Sequence, residues 1–167
     1  PDALGNKLET AQKYSNCGLC AVQNIAYMSG VKTDQDTLIR AAFQNGWCDK
    51  GGGTSYSDRK VVLQALGIES YTAEPTIDNI VSAVMSGRGV IASVDAYELY
   101  NIDTTEVGYH AVAITSVTLD ENGNATEIIV CDSNAKARGQ SGAKRYSVEE
   151  FENALTGRPL NITEVIR

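Results

Sequence analysis

Apolar residues recur at helical spacing through the first half of this chain and gather into strand-like runs in the second. Ala21, Val22, Ile25, Ala26 and Met28 predict a helix over 18–29, closed by Gly30. Thr33-x-x-Asp36 approximates a capping box for a second helix, with Leu38, Ile39, Ala42 and Phe43 on one face and Asn45-Gly46 at its end. Ser55 or Ser57 caps a third helix carrying Val61, Val62, Ala65 and Leu66, stopped by Gly67. Thr76 caps a fourth, with Ile77, Ile80, Val81, Val84 and Met85, closed by Gly87. Residues 1–16 are polar and read as a loop or short helix, Lys50-Gly-Gly-Gly-Thr-Ser55 as a flexible turn, and Ile68 to Tyr71 as a short strand or extended link.

The pattern then changes. Gly89 to Val94, Tyr109 to Leu119 and Thr126 to Cys131 are buried-strand candidates, with Asn122-Gly123 as the hairpin turn between the last two, because both residues tolerate positive φ. Arg145-Tyr146 reads as one more short strand and Leu160 to Val165 as a final one. Between them Ser147-x-x-Glu150 forms a capping box for a helix with Val148, Phe151 and Leu155. Helices first and antiparallel strands second predict an α+β fold in one domain spanning residues 1–167.

The chain has 167 residues, 43% of them hydrophobic, which is enough for a single real core. Its net charge of −7 argues against a surface built to bind a phosphate backbone. Lys136, Arg138, Lys144 and Arg145 form the only basic cluster and read as a solvated loop. Cys17, Cys20, Cys48 and Cys131 are too few for a disulfide scaffold. Cys17 and Cys20 form a CxxC with no second pair to complete a zinc site, so neither metal nor cofactor is expected. No membrane span or signal peptide is evident, and a soluble protein is expected. The chain opens Pro1-Asp2, as expected of a piece excised or processed from something longer.

Candidate chemistry enters with the single histidine. His110 opens the long strand, Asp132 ends the next one, and Cys17 lies far upstream where a loop enters the first helix. A thiol attacks as thiolate, and a helix N-terminus supplies unpaired N–H groups and about half a positive charge to favour that form. An imidazole can accept the thiol proton and return it to a leaving group, and a carboxylate beyond it fixes the tautomer. The developing oxyanion needs donors: the Cys17 backbone N–H is one, and Gln12, five residues upstream, is placed to be the second. Cys48 and Cys131 read as structural.

The chain order of cysteine, histidine and carboxylate is that of papain-like thiol hydrolases. Two templates place the nucleophile differently. A Cys-Gly-Ser-Cys-Trp pattern makes Cys20 the attacker and puts Tyr14 where a glutamine belongs. A Cys-Gly-Leu/Pro-Ala pattern makes Cys17 the attacker with Gln12 upstream, and this match is the better one.

Gln12-x4-Cys17-Gly-Leu-x-Ala21, Gly108-Tyr-His110-Ala-Val-x-Ile114 and Val130-Cys-Asp132-Ser resemble the three sequence blocks of double-glycine leader peptidases. They also resemble papain-fold toxin and effector domains at the C-termini of large bacterial secreted proteins. Gly52-Gly-Thr-Ser55, Ser86-Gly-Arg-Gly-Val90 and Ala154-Leu-Thr-Gly-Arg-Pro159 are similar to segments of the toxin-type domains. The third block differs from the leader peptidases, which carry Asp-Pro where this chain has Asp132-Ser133. The resemblance implies a papain-like fold, a helical N-terminal half packed on a C-terminal antiparallel sheet, with the nucleophile at the cleft between them. It implies a cysteine hydrolase acting on an amide bond, as peptidase or glutamine deamidase, with Cys17 as nucleophile, His110 as acid and base, Asp132 as orienter and Gln12 as oxyanion donor. It further implies a protein substrate, a cognate immunity protein, and a secreted or delivered bacterial toxin acting in the target-cell cytoplasm.

Two rival readings stand beside it. One is an RNA-cleaving toxin on the same scaffold, in which His110 and the basic loop from Lys136 to Arg145 matter more than the thiol. The other is a catalytically inactive binding module, in which Cys17 titrates like an ordinary thiol.

Overall fold

A computed structural model describes residues 16–134, 139 and 141–167 of the chain; Gln12, Lys136 and Arg138 lie outside the described residues. Three helices come first: α1 (Cys17–Met28), α2 (Gln35–Asn45) and α3 (Tyr56–Ala65). Then follow β1 (Ser70–Ala73), α4 (Ile77–Met85), β2 (Arg88–Asp95), the single turn α5 (Ala96–Leu99), β3 (Tyr109–Leu119), β4 (Ala125–Cys131), β5 (Ala143–Ser147), α6 (Val148–Ala154) and β6 (Leu160–Val165). The strands form one antiparallel sheet in the order β1-β6-β2-β3-β4-β5.

The sheet is covered on both faces, and side-chain alternation along the strands divides the core accordingly. Ile91, Ala111 and Ala113 point toward α1, α2 and α3, packing with Leu19, Val22, Ile25, Leu38, Val62 and Leu63. Val90, Ala92, Val94, Val112 and Ile114 point the other way, toward Ile80 and Ala83 of α4 and Phe151 and Ala154 of α6. That is why Val90–Val94 of β2 and Ala111–Ile114 of β3 read as nearly continuous apolar runs: these stretches have no solvent face. Each fully buried Leu, Ile or Phe in these layers contributes about 1.5–3 kcal/mol relative to exposure.

Local signals set most boundaries. Ser55 and Ser147 make complete capping boxes with Asp58 and Glu150, and Thr76 caps α4 through the Asn79 N–H. Three expectations are corrected. The cap of α2 is Asp34, whose carboxylate accepts from the Thr37 N–H, rather than Thr33, since Asp34 stands immediately before the first helical residue. At the β3–β4 hairpin only Gly123 takes positive φ. Asp120 widens that turn by accepting from the Asn122 and Asn124 N–H groups, and the Gly123 N–H bonds the Asp120 carbonyl. The glycine-rich turn after Lys50 is pinned: the Asp49 carboxylate accepts from the Gly51 and Gly53 N–H groups at 2.9 and 2.8 Å. Among the described residues no helix is long and apolar enough to cross a membrane.

Candidate active site

Cys17 is the first residue of α1, and that helix end is driven against the sheet. Asn16 before it is fully buried, and its side-chain N–H donates to Gln35 Oε1 at 2.8 Å, tying the helix start to α2. Asn16 does not cap the helix with its side chain. The Cys17 backbone N–H has no acceptor among the described residues and remains available as a donor. On the opposing strand β3 the Ala111 N–H donates to Cys17 Sγ at 3.3 Å.

The approach of α3 to this helix end explains Gly18. A Cβ on Gly18 would lie 1.9 Å from Thr54 Oγ1 and 3.4 Å from Arg59 Cδ. Gly18→Ala is therefore expected to displace Thr54 and Arg59 and to destabilise the fold by about 1–3 kcal/mol, the usual cost of overpacking. Urea denaturation of the two proteins measures it.

Sheet register brings the histidine and the carboxylate together. Ala113 pairs with Cys131, so Asp132 falls opposite Val112, and His110 is one alternation further along the same face. His110 Nε2 lies 2.7 Å from Asp132 Oδ1, with both side chains buried. The His110 side chain also interacts with the Cys17 thiol. Asp132 Oδ1 also accepts from the Asn134 N–H at 2.9 Å, and Oδ2 accepts from the Tyr100 hydroxyl. The structure thus brings Cys17, His110 and Asp132 into one chain of contacts.

The electrostatics follow from that chain. Burial pushes the Cys17 thiol up, but the hydrogen bond and charge of His110, the Ala111 N–H and the charge of Arg59 outweigh it, and the thiol lies below its ordinary value. Burial pulls His110 down, yet its bonds to Asp132 and Cys17 dominate and raise it to about 10. The two groups are coupled, and both shifts run in the direction that favours thiolate with imidazolium. Cys20 is the opposite case. It is fully buried one turn into the helix, and burial raises it to about 12, with the Ser133 hydroxyl as hydrogen-bond partner offsetting only part of that. Of the two cysteines in the CxxC, the geometry activates Cys17 and keeps Cys20 a packed thiol.

Two contributing residues, Tyr100 and Arg59, had no part in the sequence expectations. Tyr100 leaves no periodic signal, because it closes the single turn α5, set up by the Asp95 carboxylate accepting from the Tyr97 N–H. Burial and the Asp132 carboxylate hold its hydroxyl proton well above the ordinary phenol range, so Tyr100 serves as a donor. Tyr100→Phe is expected to lower kcat by about tenfold, matching the ~1.5 kcal/mol of a hydrogen bond to a charged group, with little change in KM. Arg59 had a readable signal: it shares the inward face of α3 with Val62 and Leu63. In the basic cluster, Arg145 is exposed and pairs with Glu127 across β4–β5 at 3.3 Å.

A cleft of about 530 Å³ opens over the thiol, lined among others by Cys17, Arg59, His110, Tyr109, Arg158 and Asp49. The four cysteines are free thiols. Among the described residues no group of three or more His, Cys, Asp or Glu is arranged to hold a metal ion.

This architecture is the α+β fold of papain-like, C39-type double-glycine peptidase domains. The peptidase domain of Streptococcus ComA, a bi-functional ABC transporter involved in quorum sensing, superposes with a TM-score of 0.64 at 15% identity, covering 92% of this chain and 96% of that one. A double-glycine motif protease from an AMS/PCAT transporter, solved with its leader peptide, gives 0.62 at 10% identity, over 92% of this chain and 88% of that one. A protein described as a C39-like peptidase from Bacillus anthracis gives 0.64 at 14% identity, over 98% of both chains. At these identities the likeness is one of fold. No family model matches the sequence, and no curated protein matches it.

Proposed function

We propose that this protein is a papain-like cysteine peptidase that cleaves a peptide amide through a thioester on Cys17. The observation that carries the reading is the buried relay from Asp132 through His110 to Cys17 at a helix N-terminus, open to a cleft. The Cys17 thiolate attacks the amide carbon, and the carbonyl π electrons move to oxygen. The Cys17 N–H donates to that oxyanion, and Gln12, outside the described residues, is proposed as the second donor. His110 Nδ1–H gives its proton to the departing amine as the C–N bond breaks. Water, deprotonated by the same nitrogen, then attacks the thioester and releases the acid and the thiol. Asp132 holds Nε2–H throughout, so the ring presents Nδ1 to the reaction.

The leader peptide bound to the AMS/PCAT protease, and the description of the ComA domain as a peptidase, make a protein substrate the first choice here. Deamidation of a glutamine side chain uses the same acyl-enzyme step, with ammonia as leaving group. Mass spectrometry of candidate proteins after exposure to wild type or Cys17→Ala separates the outcomes: new chain ends mean proteolysis, and an intact chain with an amide converted to acid means deamidation. Unchanged proteins beside cleaved RNA would replace this reading with that of a nuclease. The toxin setting, with its immunity protein, belongs to the same proposal: production of the wild type in a bacterial cytoplasm is expected to arrest growth, and production of Cys17→Ala to leave it unaffected.

A further inference from the structure

We propose that the cleft over Cys17 is an anion-recognition subsite in which Arg59 and Arg158 receive a carboxylate of the peptide substrate beside the scissile amide. This deepens the peptidase reading and rests on it. The whole chain carries −7, yet two guanidinium groups line the one cleft that holds the thiol. Arg59 is 4% exposed, a depth at which a cation ordinarily has a carboxylate partner. Its bonds go to neutral acceptors instead: Nε donates to Asn161 Oδ1 at 2.9 Å, and one terminal nitrogen donates to the Thr54 carbonyl at 3.0 Å. Asn161 is itself fixed, donating to the Tyr56 carbonyl at 2.9 Å, so the guanidinium is held before any ligand arrives.

Arg158 lines the same cleft. Its guanidinium carbon lies 3.7 Å from the centroid of the Tyr109 ring, next to His110. Neither arginine has a carboxylate within ion-pair distance among the described residues. Asp49, the carboxylate in the cleft wall, is engaged with Gly51 and Gly53. Arg59 feels the charges of Cys17 and Asp58 but makes an ion pair with neither among the described residues, and its Nε and one terminal nitrogen are held by Asn161 and Thr54; the other terminal nitrogen, with the Arg158 guanidinium, makes a receptor for a carboxylate beside the thiol.

The test uses two alkylating reagents that differ in one charge. Iodoacetate and iodoacetamide both displace iodide at the Cys17 thiolate, and only iodoacetate carries a carboxylate. The rate ratio of iodoacetate to iodoacetamide is expected to be about tenfold higher for this protein than for glutathione, the effect of opposite charges a few ångströms apart at intermediate dielectric. Arg158→Gln, an exposed site, is expected to cut that ratio about threefold, and Arg59→Lys, which keeps charge and loses the fork, to lower it similarly. A ratio equal to that of glutathione, or unmoved by both substitutions, overturns the subsite. Slow reaction with both reagents would instead overturn the nucleophile reading beneath it. Protection of Cys17 by competing peptides identifies the source of the carboxylate. Protection by acetyl-Gly-Gly-Glu-Gly-Gly-amide over its Gln twin supports an acidic side chain. Protection by acetyl-pentaglycine acid over its amide supports a chain end. Equal protection by the neutral twins overturns the proposal.

Discussion

Replacing Cys17 with alanine is expected to lower amide hydrolysis by about 10⁴-fold or more, because the acyl-enzyme route is lost and the remaining groups supply only binding and oxyanion donation. Cys20→Ala is expected to leave kcat within about threefold of wild type and to cost about 1–2 kcal/mol of stability, the price of a small vacancy in a filled core. The contrast is built into one helical turn. Cys17 faces His110 and the Ala111 N–H at the cleft, while Cys20 is fully buried with the Asn16 and Ser133 side chains as its polar partners. Progress curves on a cleaved peptide and thermal melts of the two variants measure both effects. Equal losses at the two positions would show that the CxxC acts as a unit.

His110→Ala has the second largest expected effect, a fall in kcat of about 10³–10⁴-fold, since the ring is both proton acceptor and donor. The sign of the accompanying pH change follows from the balance at the thiol. Burial raises Cys17 and His110 is the chief influence lowering it. Without the ring the two largest lowering influences are gone, and Cys17 moves up. The residual activity of the variant is therefore expected to rise toward alkaline pH. In wild type, activity instead rises as Cys17 ionises and falls as His110 loses its proton near about 10. Rates measured from pH 5 to 11 distinguish the two profiles.

The sequence exposed those features that depend on short-range pattern. β3 ran from Tyr109 to Leu119 as expected; in its first half the strand is covered on both faces, and Ala111–Ile114 is apolar at consecutive positions. The capping box at Ser147 was readable because both partners lie within four residues, whereas the sequence left the cap of α3 open between Ser55 and Ser57. His110 and Asp132 could be paired from sequence because a single hairpin joins their strands. What escaped depends on contacts between distant segments. Tyr100 meets Asp132 only after α5 folds back over the sheet, and Arg59 is matched to Asn161 on β6, over a hundred positions later. The turn at Asp120 escaped for a different reason: Asn122-Gly123 suits a two-residue turn, but the Asp120 carboxylate offers two further bonds that favour the longer one.

The central claim is that Cys17 exists as a thiolate paired with protonated His110. The most direct measurement is the rate of Cys17 carboxamidomethylation by iodoacetamide as a function of pH, followed by mass spectrometry of the peptide carrying residue 17. A midpoint well below that of an ordinary thiol, ~8.5, with Cys20 unlabelled over the same range, is the predicted result. A midpoint at or above that value, unchanged in His110→Ala, would contradict the account.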